Sequence, residues 1–271
     1  MKEFELSKAR YQIEGEGQPI LLIGGQFATL EGWNATVEDL QRFNKVIILE
    51  YPNQGQSEMD LEFDNLKNYA EYTLQFLKAI DVEPEELIAF GISFGANIIK
   101  CMTFDFDIKF KAAILTGVTS TYKLKHYMIE NYKLWIDIIE KLDVETAFKV
   151  IFLKLLSPEF IEKAPEIVEV AAKQMVTHYG EKKEALICIL DATINYLNSV
   201  TTPGGDSKFP YDIYIIGARS DTMMPINYVR EYAELVQAKF FELPGGHLVN
   251  MEQSFELMSI LHDVIDEYEE Y

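Results

Sequence analysis

The feature that most restricts how this 271-residue chain can fold is the pentapeptide Gly91-Ile92-Ser93-Phe94-Gly95. It lies between an apolar run, Leu87-Ile88-Ala89-Phe90, and a helix-like stretch, Ala96-Asn97-Ile98-Ile99-Lys100-Cys101-Met102. A serine hydroxyl becomes available as a nucleophile when a sharp strand-to-helix turn exposes it. Small residues two places to either side let the backbone make that turn. The pattern predicts a strand that ends, a serine at its tip and a helix that begins, with Ser93 as the candidate nucleophile.

Such a serine needs a base and an acid, and in a fold of this kind they follow it in the order acid, then histidine, each on a loop after a later strand. Tyr211-Asp212-Ile213-Tyr214-Ile215-Ile216-Gly217-Ala218 reads as a buried strand running into the polar loop Arg219-Ser220-Asp221-Thr222-Met223-Met224-Pro225, which makes Asp221 the candidate acid. Its competitor, Asp212, begins a strand, and no acid follows the preceding strand at Gly117-Val118-Thr119-Ser120. After one more helix comes Lys239-Phe240-Phe241-Glu242-Leu243 and then Pro244-Gly245-Gly246-His247, so His247 stands in a glycine-rich loop beyond the last strand as the candidate base. His126, His178 and His262 fall on predicted helices and read as solvated or structural.

Together these motifs resemble the α/β-hydrolase superfamily over nearly the whole chain. Ile20-Leu21-Leu22-Ile23-Gly24-Gly25-Gln26-Phe27 is similar to the family's oxyanion strand and loop, with Gly24-Gly25 where His-Gly is usual. Val46-Ile47-Ile48-Leu49-Glu50 and Tyr51-Pro52-Asn53-Gln54-Gly55-Gln56-Ser57 resemble the strand and D-x-P-G-x-G-x-S loop, with Glu50 where Asp is usual. The resemblance implies a mostly parallel central sheet flanked by helices. It also implies an oxyanion hole built from the backbone amides of Phe94 and Gln26, with Phe27 the alternative to Gln26 because of the glycine pair. Serine at the elbow, in place of aspartate, speaks against the dehalogenase and epoxide-hydrolase branches. Gly25-Gln26-Phe27-Ala28-Thr29, Pro52 with Gly55-Gln56-Ser57, and Gly246-His247 with Glu252 also resemble the bacterial synthases of the hydroxyalkanoyloxy-alkanoate precursor of rhamnolipids.

The alternation of strand and helix is interrupted between the strand near 111–117 and the strand near 211–218. This predicts an α/β-hydrolase core of residues 1–119 and 209–271 with a helical cap at 120–208. Met128, Tyr132, Trp135, Ile139 and Leu142 recur at helical spacing, as do Phe148, Ile151, Phe152 and Leu155; Pro158 and Pro165 mark helix starts. Two more helices are expected over 166–178 and 181–198, about four in all. Packed over the catalytic loops they would roof a largely apolar pocket, although such stripes are more often simple core.

A formal charge of −20, of which the insert carries only −2, repels phosphate backbones and anionic membrane surfaces, so neither nucleic acid nor membrane is an expected partner. Lys123 and Lys125, in the nearly neutral insert, are candidate contacts for an acidic acyl-carrier protein. No secretory signal or membrane span is legible, so the expected location is cytoplasmic. Cys101 and Cys188 read as buried reduced thiols. There is no zinc-type ligand spacing, no phosphate-binding glycine loop and no dinucleotide fingerprint, so no cofactor or metal is expected.

The expected activity is that of a serine hydrolase using Ser93, His247 and Asp221 on an ester or thioester with an apolar acyl chain, through an acyl-enzyme. The acyl substrate is a small molecule, free or bound to a carrier or to coenzyme A. Two other readings use the same residues: an acyltransferase or condensing enzyme in which a hydroxyacyl group replaces water, and a noncatalytic small-ligand binding protein. Oligomeric state is not legible.

Overall fold

The computed structural model describes residues 4–200 and 207–268. Residues 1–3, with the expected absence of a leader, and parts of the expected cap (201–206) and core (269–271) lie outside the described residues.

Seven strands make one sheet: β1 (Arg10–Glu14), β2 (Gln18–Ile23), β3 (Asn44–Glu50), β4 (Ile88–Ile92), β5 (Ala112–Thr116), β6 (Asp212–Ala218) and β7 (Lys239–Leu243). Their order across the sheet is β1-β3-β2-β4-β5-β6-β7. β1 runs antiparallel to β3 and every other pair is parallel, which is the mostly parallel sheet that the sequence predicts. Helix-covered parallel strands are buried on both faces and read as continuous apolar runs; all five residues of β4 and all five of β5 are buried accordingly.

Within those runs a period of two sorts the side chains. Leu21, Ile23, Ile47, Leu49, Ala89, Leu115 and Ile215 face one cluster, while Ile20, Leu22, Val46, Ile48, Phe90, Ile114 and Ile216 face the other. The second cluster is closed by α1 (Asn34–Leu40), through Val37 and Leu40, and by α11 (Ser254–Asp266), through Leu257, Leu261 and Val264. The first is closed by α2 (Leu66–Ala79), α3 (Phe94–Asp105) and α9 (Ile226–Val236). Each fully buried side chain of this size contributes about 2 kcal/mol of transfer free energy. A one-residue slip of any strand would send its whole set to the wrong face.

Among the described residues, five helices lie between β5 and β6: α4 (Lys125–Lys141), α5 (Val144–Leu155), α6 (Pro158–Lys163), α7 (Ile167–Tyr179) and α8 (Lys183–Ser199). Asp143 caps α5 by accepting from the Thr146 amide at 2.9 Å, and Ser157 with Pro158 starts α6. Met128, Tyr132, Trp135 and Ile139 form the buried face of α4, but Leu142 falls past its end and is 36% exposed. Pro165 sits in the turn before α7 rather than inside it, and Glu166 is the residue that precedes the first helical turn. The buried faces of α4, α5, α7 and α8 join the cluster on the first face of the sheet, so one continuous apolar core runs from strands to insert.

Because β2, β4, β6 and β7 run the same way, the loops after them leave one edge of the sheet. Those loops carry Gln26, Ser93, Asp221 and His247 respectively. A short helix, α10 (Val249–Glu252), follows the histidine loop and precedes α11.

Candidate active site

β4 ends at Ile92 and α3 begins at Phe94, which leaves Ser93 alone on the turn with φ 52° and ψ −102°. A non-glycine residue in that region is strained and stays there only where its surroundings over-determine it. Here the Ser93 amide donates to the Thr116 carbonyl at 2.8 Å, and the Ser93 carbonyl accepts from the Asn97 amide at 3.1 Å and from Asn97 Nδ2 at 3.0 Å. The two elbow glycines are needed for close approach of backbones. A Cβ on Gly95 would lie 2.1 Å from the Ile23 carbonyl oxygen, and one on Gly91 2.7 Å from the Ala96 nitrogen.

Three side chains far apart in sequence meet at this turn. His247 Nε2 lies 2.9 Å from Ser93 Oγ, and His247 Nδ1 lies 2.8 Å from Asp221 Oδ2. The other carboxylate oxygen, Asp221 Oδ1, accepts from the Met223 and Met224 amides at 2.7 and 2.8 Å. A carboxylate on Nδ1 requires the imidazole proton there, which leaves the lone pair of Nε2 facing the serine hydroxyl. All three side chains are buried. Asp212 stands at the start of β6, at the opposite end of that strand from Asp221.

The loop after β2 is held by a residue that no sequence motif marks. Gln54 Nε2 donates to the carbonyls of Gly25 (2.9 Å) and Gln26 (3.0 Å), and Gln54 Oε1 accepts from the Tyr51 amide at 3.3 Å. A side-chain amide from the neighbouring loop thus supports the glycine pair. Phe94, as first residue of α3, has an amide with no acceptor inside the helix. Glu50 performs the anchoring expected of an aspartate: its carboxylate accepts from the amides of Leu30, Gln56 and Ser57 and pairs with Arg10 Nε at 2.8 Å.

The histidine loop is tied to the insert. The His247 amide donates to the Leu155 carbonyl at the end of α5 at 2.7 Å, and the Glu252 carboxylate accepts from both the Ser157 amide, at 2.9 Å, and the Ser157 hydroxyl. Gly117, with φ 62°, ends the strand opposite. A Cβ there would lie 2.9 Å from His247 Cε1 and 3.4 Å from Ser93 Cβ. In the sequence Gly117 is an isolated glycine, and Glu252 stands with Gly246-His247 only as a point of resemblance, so the contacts that both residues make are seen first in the fold.

Over Ser93 and His247 opens a cavity of about 250 Å³, walled by Phe27, Trp33, Trp135, Phe148, Phe152, Leu155 and Met175, with Gln26, Gln174, His178 and Asn250 among its polar lining. Burial pushes the Tyr132 hydroxyl up to about 12, and the Asp221 charge adds to the shift, so this buried phenol stays protonated. His178, in the last turn of α7, is among the residues that line the cavity; His126 is exposed and His262 pairs with Asp39 at 2.7 Å. Lys123 pairs with Glu231, and Lys125 donates to the Val200 carbonyl at 3.2 Å. Both cysteines are buried, and burial raises their thiols, that of Cys188 to about 11. Among the described residues there is no cluster of metal-ligating side chains, and no helix is long and apolar enough to cross a membrane.

No protein-family profile matches the sequence. A curated relative, the (E)-2-((N-methylformamido)methylene)succinate hydrolase of Acinetobacter baylyi, is 29% identical over 119 residues, 44% of this chain. The match spans 43% of that protein's length, less than half. Solved structures superpose over nearly the full length. An α/β-hydrolase enzyme from a Medee basin deep-sea metagenome library has a TM-score of 0.85 at 16% identity, covering 97% of this chain and 96% of its own. A thermophilic esterase from Thermogutta terrifontis has a TM-score of 0.80 at 16% identity, covering 96% and 93%. The enol-lactonase of Burkholderia xenovorans has a TM-score of 0.79 at 15% identity, covering 95% and 96%. With strand order, turn geometry and superposition in agreement, the fold of this chain is the α/β-hydrolase fold.

Proposed function

We propose that this protein is a serine hydrolase that cleaves an ester, lactone or thioester bearing a sizeable apolar part. The observation that carries the reading is the continuous hydrogen-bonded chain Asp221–His247–Ser93 at the floor of a largely apolar cavity. The names of the similar proteins, a hydrolase, an esterase and an enol-lactonase, agree with acyl cleavage. Fold alone would not support it, since one fold hosts many chemistries.

In this mechanism His247 Nε2 takes the Ser93 proton as Oγ attacks the carbonyl carbon, and Asp221 holds the tautomer and stabilises the imidazolium. The amides of Phe94 and Gln26 receive the charge that develops on the carbonyl oxygen. One such donor is worth about 10²–10³ in rate. The imidazolium returns its proton to the leaving group as the tetrahedral species collapses. Water, activated by the same imidazole, then attacks the acyl-enzyme and releases the acid.

The test is a panel of p-nitrophenyl esters, lactones and acyl thioesters of graded length, run on wild type and Ser93→Ala with products identified by mass spectrometry. The expected outcome is turnover that grows with apolar length and falls at least about 10³-fold in the variant. Acyl–acyl products in place of free acid would reassign the chain to acyl transfer. Equal rates in the two proteins would end the hydrolase reading.

A further inference from the structure

Buried polar groups in folded proteins are almost always hydrogen-bonded, and one left unpaired is destabilising. In this molecule three such atoms belong to residues that line one cavity: Gln26 Nε2, His178 Nδ1 and Asn250 Oδ1 are buried without a hydrogen-bond partner, and Gln26, His178 and Asn250 all contribute to its lining. Gln26 is only 7% exposed, and although the Tyr132 hydroxyl is beside it, no bond of normal geometry joins them. The remaining atoms of this kind among the described residues, on Arg10, Asn44 and Tyr69, are elsewhere, and Arg10 Nε has the Glu50 carboxylate at 2.8 Å.

The three atoms differ in what they ask for. A side-chain amide nitrogen donates, a side-chain amide oxygen accepts, and an imidazole nitrogen does either according to its tautomer. A ligand that completes the set must both accept and donate. It must also be uncharged, because among the described residues no Lys, Arg, Asp or Glu lines the cavity. A carboxylate buried there would lose its hydration with no Lys or Arg as a permanent counter-ion, only His178 and His247 at the cost of protonating an imidazole, and the chain's −20 charge opposes its approach.

We propose that Gln26, His178 and Asn250 recognise a neutral group that both donates and accepts hydrogen bonds, a secondary amide or a hydroxyl, carried by the substrate in addition to its scissile carbonyl. The substrate class is then an acyl compound with an apolar body and one such neutral polar function, and purely aliphatic or anionic analogues are discriminated against. This rests on the cavity being the substrate site, as under the proposed hydrolase reading. A site built to pair a polar group rejects the analogue that lacks it far more strongly than an apolar pocket rejects a change in length.

The molecule carries its own reporter. Its two tryptophans, Trp33 and Trp135, both line the cavity. The experiment is a tryptophan-fluorescence titration of Ser93→Ala with three linear alkyl ketones of equal length: one all-methylene, one with an internal secondary amide, one ending in a carboxylate. The amide ketone is expected to bind at least about tenfold more tightly than either of the others. His178→Phe and Asn250→Leu, checked for folding by circular dichroism, are each expected to narrow that preference to about threefold or less. Equal binding of the amide and all-methylene ketones overturns the proposal, as it would if ordered water satisfies these atoms. So does tightest binding of the carboxylate, or a preference that survives both substitutions. Because binding is read in a protein without its nucleophile, loss of the hydrolase reading would be seen separately, as an absence of Ser93-dependent turnover.

Discussion

Ser93 is held in a strained conformation by the bonds of its own amide and carbonyl, and the residues that decide whether it can act are as much its neighbours as its partners. Gly117 is one. Its φ is 62°, and a methyl group placed on it would sit 2.9 Å from His247 Cε1, so Gly117→Ala both strains the backbone and pushes the imidazole off Ser93. We expect kcat to fall at least about tenfold with KM nearly unchanged, since a small misplacement of a catalytic group is felt mainly in the chemical step; steady-state kinetics on any ester that wild type turns over checks this. Gln54 is another. Gln54→Leu removes both bonds to the Gly25 and Gln26 carbonyls, and if this loop aims an amide at the oxyanion, as in the proposed mechanism, kcat should fall about 10–100-fold while the thermal midpoint moves little. A loss confined to KM would show that the loop binds substrate without aiming the donor.

At the scale of elements, α5 has two tasks. Phe148, Phe152 and Leu155 wall the cavity, and the Leu155 carbonyl with the Ser157 amide and hydroxyl holds the histidine loop through His247 and Glu252. Glu252→Ala leaves the Ser157 donors without their acceptor and is expected to cost about 1–3 kcal/mol in chemical denaturation together with slower turnover. An unchanged unfolding midpoint would mean that solvent replaces the carboxylate at no cost. The elements themselves are largely legible in the sequence: the runs around β4 and β6, the elbow and the glycine-rich loop before His247 are local patterns, and local patterns are what a sequence displays. The insert's helices are legible from the spacing of Tyr132, Trp135 and Phe152, but the same spacing extends to Leu142, which lies past the end of α4, because spacing cannot see where a chain turns to pack. Gln54 and Gly117 are not legible as site residues, and Glu252 enters the sequence reading only through a resemblance, without its role. Their roles come from loops that meet only in the folded chain, and His178 escapes a sequence reading because its helix, not its neighbours in sequence, brings it to the cavity lining.

For the molecule as a whole, the −20 charge is spread over a surface whose ion pairs are mostly exposed, such as Lys173–Glu169 and Lys141–Asp137, and exposed pairs contribute little. Self-repulsion among the excess acids therefore outweighs them, and raising NaCl from about 0.02 to 0.3 M, which shortens the screening length from roughly 20 Å to less than 10 Å, should raise the thermal midpoint by a few degrees. A midpoint that falls with salt would show that the pairs dominate. The bond between His247 and the end of α5 has a further consequence for how such a molecule can change. Enlarging the cavity by trimming Phe152 or Leu155 disturbs the same helix end that steadies His247, so under the proposed mechanism new specificity gained there comes with slower turnover. Helix α7 offers Ala171 and Met175 to the same wall, while its own anchor, the Tyr179 hydroxyl, is spent on the Gly55 amide at 2.8 Å. Divergence toward other substrates has an open path along α7 and a guarded one along α5.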